Sequence, residues 1–130
     1  AAAPGKQAFV TDVCVPISRL AECVMETKRD VDENRLFAPI VGHVGDGNFH
    51  TAVMVDLDDA DELARAIALV DRMVKRALAM GGTCTGEHGV GQGKMKYLKT
   101  EHGNGLDVMR AIKRAIDPDS IMNPGKIFSM

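Results

Sequence analysis

Val41 to His50, reading VGHVGDGNFH, constrains this chain more than any other stretch. Asp46-Gly47 lies at its centre, and Asp-Gly is the preferred pair for a two-residue type I′ hairpin turn, where both positions need positive φ. Counting outward from that turn, Gly45 is expected to face Asn48, Val44 to face Phe49 and His43 to face His50. Directly opposed residues share one sheet face, with Cβ atoms about 4.5–5.5 Å apart. Two imidazoles so placed can hold one metal ion, for which Zn–N distances are about 2.1 Å. Two ordinary strand histidines would show the same spacing, so the stretch is a candidate metal clip.

The rest of the chain supplies a frame for that hairpin. Gln7 to Val15 carries β-branched residues in partial alternation and reads as a strand. Pro16 and Ser18 open a helix with Ile17, Leu20, Val24, Thr27 and Val31 at helical spacing, and Glu22, Glu26, Lys28 and Arg29 on a solvated face. The hairpin arms are expected at Phe37–Val44 and Phe49–Leu57. One face collects Ala38, Ile40, Val44, Phe49, Val53 and Val55; the other carries His43 and His50 with Val41, Ala52 and Met54. Asp58-Asp59 caps the next helix, whose apolar stripe is expected at Leu63, Ile67, Val70, Val74, Ala77 and Leu78, with Gly81-Gly82 as its stop. Met73 and Met80 read as core filler.

The order to residue 80 is therefore β-α-β-β-α, an α+β arrangement. It matches the first five elements of a ferredoxin-like split βαβ unit with an antiparallel sheet, and no further strand is evident. Residues 1–80 read as a ferredoxin-like half-domain for substrate and metal, and residues 81–130 as a site loop followed by a small helical segment and tail. A short basic helix is expected around Lys94–Lys99. A second follows with Leu106, Met109, Ile112 and Ile116 inward and Arg110, Lys113 and Arg114 outward, stopped by Asp117-Pro118. The tail IMNPGKIF holds an Asn-Pro-Gly turn. Ala1–Lys6 places no structural demand and reads as a cut end.

Composition excludes several functions. In 130 residues the net charge is −2, with no Trp and one Tyr, which argues against a nucleic-acid footprint and against base stacking. No apolar run reaches membrane-spanning length and no signal-peptide pattern is present. Cys14, Cys23 and Cys84 are odd in number and lack CxxC spacing, the pattern of free thiols in a reducing compartment.

A second glycine-rich run, GGTCTGEHGVGQG from Gly81 to Gly93, contains Glu87 and His88. In extended backbone these neighbours point to opposite sides, so one is expected to complete a His43/His50 site while the other faces elsewhere. Two histidines and a carboxylate leave open positions on a metal for substrate. His88 then remains as a free imidazole suited to general-base work. The run follows a helix, so dinucleotide-fingerprint logic does not apply. His102 lies in a polar stretch and reads as a solvated loop residue. A metal with open sites can acidify the hydroxyl of a 2-hydroxy acid. The same groups would also suit a stand-alone metal-dependent hydrolase, or, with structural histidines, a non-catalytic ferredoxin-like binding module.

HVGDGNFH, TGEHGVGQGK and the terminal MNPGK, in that order, resemble the C-terminal region of FAD-linked oxidases. This family includes D-lactate dehydrogenase, the glycolate oxidase flavin subunit and D-2-hydroxyglutarate dehydrogenase. The resemblance runs over about Phe37 to Phe128 and is nearest to the cytochrome-type D-lactate branch. It implies His43, His50 and Glu87 as ligands of a divalent metal (Zn or Fe/Mn), His88 as the base, and Asn123 and Lys126 near FAD, which takes the hydride. It also implies a C-terminal piece of a larger flavoenzyme, inactive alone, with the FAD-binding domain and the front of the substrate domain outside these residues. Members preferring 2-hydroxyglutarate tend to carry Asn two residues after the second histidine; Ala52 stands there and points to D-lactate or glycolate. The expected acceptor is a cytochrome, a quinone or an electron-transfer flavoprotein, and homodimerisation is left open. The expected location is cytoplasmic, including the periphery of the inner membrane, or mitochondrial in a eukaryote.

Overall fold

A computed structural model describes residues 5–130, so the first four residues of the Ala1–Lys6 lead-in lie outside the described part. The chain forms two compact units, Ala1–His88 and Gly89–Met130. In the first unit the order is β1 (Gln7–Cys14), α1 (Ile17–Glu33), β2 (Ile40–His43), β3 (Asn48–Val55) and α2 (Ala60–Ala79). The strands form a sheet in the order β1-β3-β2, with β3 antiparallel to both neighbours. β1 and β2 therefore run parallel with β3 between them, which is the split βαβ arrangement expected from the sequence. On the outer edge of β1, a single antiparallel bridge between Cys14 and Thr83 stands where a fourth strand would lie.

The hairpin differs from the expected one. Val44–Asp46 form a 3-10 turn and only Gly47 takes positive φ, at 72°, so the loop has four residues rather than two. His43 pairs with Asn48, Gly42 with Phe49 and Val41 with His50. A tertiary contact overrides the local Asp-Gly preference: the Val15 N–H donates to the Gly47 carbonyl at 3.0 Å, drawing the loop tip onto the end of β1. The register shifts by two residues, and because side chains alternate with period two, every strand residue keeps its face. Val44, removed to the turn, is exposed instead of joining the core face.

Phe49, Thr51, Val53 and Val55 point from β3 into the core, where Val53 and Val55 meet Val31, Leu36, Ala38, Ala66 and Leu69. The buried helix faces keep Leu20, Thr27 and Val31 of the stripe expected in α1, and Val74 and Ala77 of that in α2, but are turned from the remaining expected positions. α1 buries Leu20, Cys23, Thr27, Asp30 and Val31 and exposes Ile17. α2 buries Glu62, Ala66, Leu69, Met73, Val74 and Ala77 and leaves Ile67 52% exposed. The cause is polar pairing inside the helix layer. The Asp30 carboxylate accepts from Arg72 Nη2 at 2.6 Å and from Arg76 Nη2 at 3.0 Å, and Arg76 also donates to Thr27. Glu62 accepts from the Asp56 N–H and from Lys6. Asp59 caps α2 by accepting from the N–H groups of Asp61 and Glu62, as the sequence suggested.

In the second unit, a 3-10 turn at Met95–Tyr97 leads into α3 (Leu98–His102), and α4 spans Gly105–Ile116. Leu106 is buried, whereas Ile112 and Ile116, expected inward, are exposed, since so short a unit has little interior to offer them. His102 ends α3 and is exposed. Asp117 closes α4 and organises the tail: its carboxylate accepts from the N–H groups of Ile121 and Met122 and from Lys113. Among the described residues, no helix is long and apolar enough to cross a membrane.

Candidate active site

The sheet face opposite the core set carries the site. On β3 the residues alternating with the core set are Asn48, His50, Ala52 and Met54; on β2, Val41 and His43 share that face, and on β1, Asp12 lies directly opposite His50. His43 and His50 are diagonal rather than directly opposed neighbours, a separation still within reach of large side chains. Their ring centroids are 5.6 Å apart and the rings meet edge to face.

Glu87 completes the group. Its Oε1 lies 3.1 Å from His50 Nε2 and 3.4 Å from His43 Nε2. His88 joins it, with Nε2 3.7 Å from the same oxygen and its ring centroid 4.9 Å from that of His50. Glu87 and His88 thus turn to the same site, contrary to the expectation for extended backbone. The loop is not extended: the consecutive N–H groups of Gly86, Glu87 and His88 donate to one oxygen, Asp12 Oδ2, at 2.9, 2.8 and 3.1 Å. With the amides turned inward, the following side chains fan outward together.

The donor set suits a divalent ion. One atom each from His43, His50 and Glu87 lies within 4.8 Å of the others. Bonds of about 2.1 Å to a tetrahedral ion separate its donors by roughly 3.4 Å, close to the 3.1 and 3.4 Å contacts here. His50 is buried at 9% exposure, which holds its ring in place, and its Nδ1 has no hydrogen-bond partner among the described residues. His43, Glu87 and His88 are about half exposed, so the group opens outward. Beside it, His43, Asn48, Thr85 and Glu87 line part of a cleft of about 390 Å³. Asn123 and Lys126 belong to the second unit, where the Lys126 N–H donates to the Asn123 carbonyl in a turn at 3.3 Å.

Sequence reasoning passed over Asp12. The signal was available, because an unpaired-looking acid inside the apolar run VTDVCV is out of place in a strand. It is fully buried.

Comparison with known proteins agrees with the motifs. The family model for the C-terminal domain of FAD linked oxidases matches residues 1–127. The chain belongs to this family. It is 50% identical over 128 residues to a probable mitochondrial D-lactate dehydrogenase of Danio rerio, covering 98% of this chain and 26% of that protein. It is 51% identical to a mitochondrial D-lactate dehydrogenase [cytochrome] of Arabidopsis thaliana, covering 98% of this chain and 23% of the relative. A glycolate oxidase subunit GlcD of Bacillus subtilis is 38% identical, with 93% of this chain and 26% of the relative covered. The chain thus spans about a quarter of the length of the curated relatives it matches.

Proposed function

We propose that this chain is the substrate- and metal-holding part of an FAD-dependent D-2-hydroxy-acid dehydrogenase that oxidises D-lactate, or glycolate, to the 2-oxo acid. The observation that carries this reading is the convergence of His43, His50 and Glu87 on one point with His88 at its side. His43, His50 and Glu87 would hold a divalent metal, Zn or Fe/Mn, whose contribution when bound is to polarise the substrate hydroxyl. FAD, when bound, accepts the hydride from the substrate carbon. His88 takes the hydroxyl proton on its imidazole, so the alcohol loses one proton and one hydride and leaves as the 2-oxo acid. Asn123 and Lys126 are proposed to face the flavin.

Ala52 stands two residues beyond His50 on the same sheet face, and its methyl group supports a substrate with a small side chain. The name of the plant relative supports a cytochrome as electron acceptor, and the names of the plant and animal relatives support a mitochondrial location if the source is a eukaryote. The family match supports this reading over a hydrolase or a non-catalytic module.

The test is flavin reduction by D-lactate in the full-length gene product that carries this segment. His88→Ala should abolish reduction while leaving metal content at wild-type level, and His43→Ala should lose both. Full-rate reduction in His88→Ala would remove the proposed base.

A further inference from the structure

The site's loop is held by a buried carboxylate, that of Asp12, which also lies beside two of the site's histidines: one donor atom each from Asp12, His50 and His88 lies within 4.8 Å of the others. Asp12 lies in the middle of β1, fully buried, and its Oδ2 receives the three consecutive N–H groups of residues 86–88. Its Oδ1 accepts from the Thr85 hydroxyl at 3.4 Å. A carboxylate in this position acts as the anion of a backbone nest, the concavity formed by successive amides turned inward. The nest and its anion here belong to the same chain, separated by more than seventy residues. Asp12 is also the direct cross-strand partner of His50. One side chain therefore spans the two parts of the site: the sheet register sets it against His50, and its oxygens set the loop.

We propose that Asp12 is the positioning residue that places Glu87 and His88 against His50. The proposal rests on the functional reading above for what those residues do, but not for how they are held. Charge-assisted hydrogen bonds from backbone amides are stronger than neutral ones, and three share this oxygen. Gly86 closes the loop from the other side, since a Cβ there would come within 2.1 Å of Asn48 Oδ1. Asp12→Asn keeps a neutral acceptor for the amides, whereas Asp12→Ala leaves three donors without their oxygen. The two variants should therefore be graded.

The experiment has two readouts in the full-length protein. Hydrogen exchange of the wild type should show residues 86–88 protected to the level of β3, and Asp12→Asn should release them while β3 stays protected. Zn²⁺ affinity should fall roughly 10–100-fold in Asp12→Asn, as for other residues that orient metal ligands, and further in Asp12→Ala. In lactate turnover, kcat should fall in the same order, Asn retaining part of what Ala loses. Free exchange of residues 86–88 in the wild type overturns the proposal without any variant being needed. Unchanged protection and Zn²⁺ affinity in folded Asp12→Asn would overturn it as well. If the wild type binds no Zn²⁺ but loop protection still depends on Asp12, the metal reading fails and the positioning role stands.

Discussion

Gly47 shows how much of the site depends on single residues. Its φ of 72° suits glycine, and a Cβ at this position would lie 2.1 Å from the Val15 carbonyl oxygen, a backbone atom with no freedom to step aside. Gly47→Ala should therefore cost more than the usual left-handed penalty of roughly 1 kcal/mol, measured as a lower urea midpoint. Gly86 differs, because what its Cβ would meet is the Asn48 carboxamide. Gly86→Ala should leave overall stability closer to wild type but displace Glu87, so its effect is expected in metal affinity first. A Gly86→Ala protein that binds the ion as tightly as wild type would show that the loop has slack. The two histidines were legible in the sequence because an alternation of faces survives a register shift of two. The turn type was not, because the Val15 contact that sets it comes from another strand.

At the scale of elements, the start of α1 after Pro16 and the Asp59 cap and Gly81-Gly82 stop of α2 are legible in the sequence, but the full set of residues the two helices bury is not. Periodicity alone favours Ile67 as core, yet Met73 is fully buried and Ile67 is not, since α2 turns to bring Arg72 and Arg76 onto Asp30. Met73→Ala should cost about 2–5 kcal/mol, the range for emptying a core site, and Ile67→Ala less than about 0.5 kcal/mol. Equal costs would return the helix to the orientation that periodicity alone suggests. The Asp30 cluster also has a pH signature. Burial pushes this carboxyl upward, and hydrogen bonds from Arg72 and then Arg76 outweigh it, leaving its pKa below the ordinary Asp value of 3.8. A group whose folded pKa is depressed stabilises the fold above its unfolded pKa and loses that contribution as pH falls through the folded value. The stability gap between wild type and Asp30→Asn should therefore be full at neutral pH, shrink as pH falls past the ordinary Asp value of 3.8 and close only below the depressed folded value, as followed by urea unfolding across the acid range.

For the whole molecule, the division of labour follows from which chemistry side chains can perform. The first unit brings together two imidazoles and a carboxylate whose donor atoms are close enough to hold a cation, with a third imidazole beside them. Hydride acceptance is different: no ordinary side chain offers an empty, reversible two-electron orbital, and enzymes leave that step to a cofactor. The family is FAD-linked, and this chain spans about a quarter of the relatives it matches. The 130-residue chain should therefore separate binding from turnover. Titrated with Zn²⁺, it should take up one ion per chain, and His43→Ala or Glu87→Gln should abolish that uptake. Given FAD, D-lactate and a redox dye, the same preparation should reduce no dye, while the full-length gene product does. Dye reduction by the 130-residue chain would place a working flavin site within these residues and refute the division. Ion uptake without turnover, lost in the two variants, would locate metal binding in the His43, His50 and Glu87 group and place hydride transfer outside these residues.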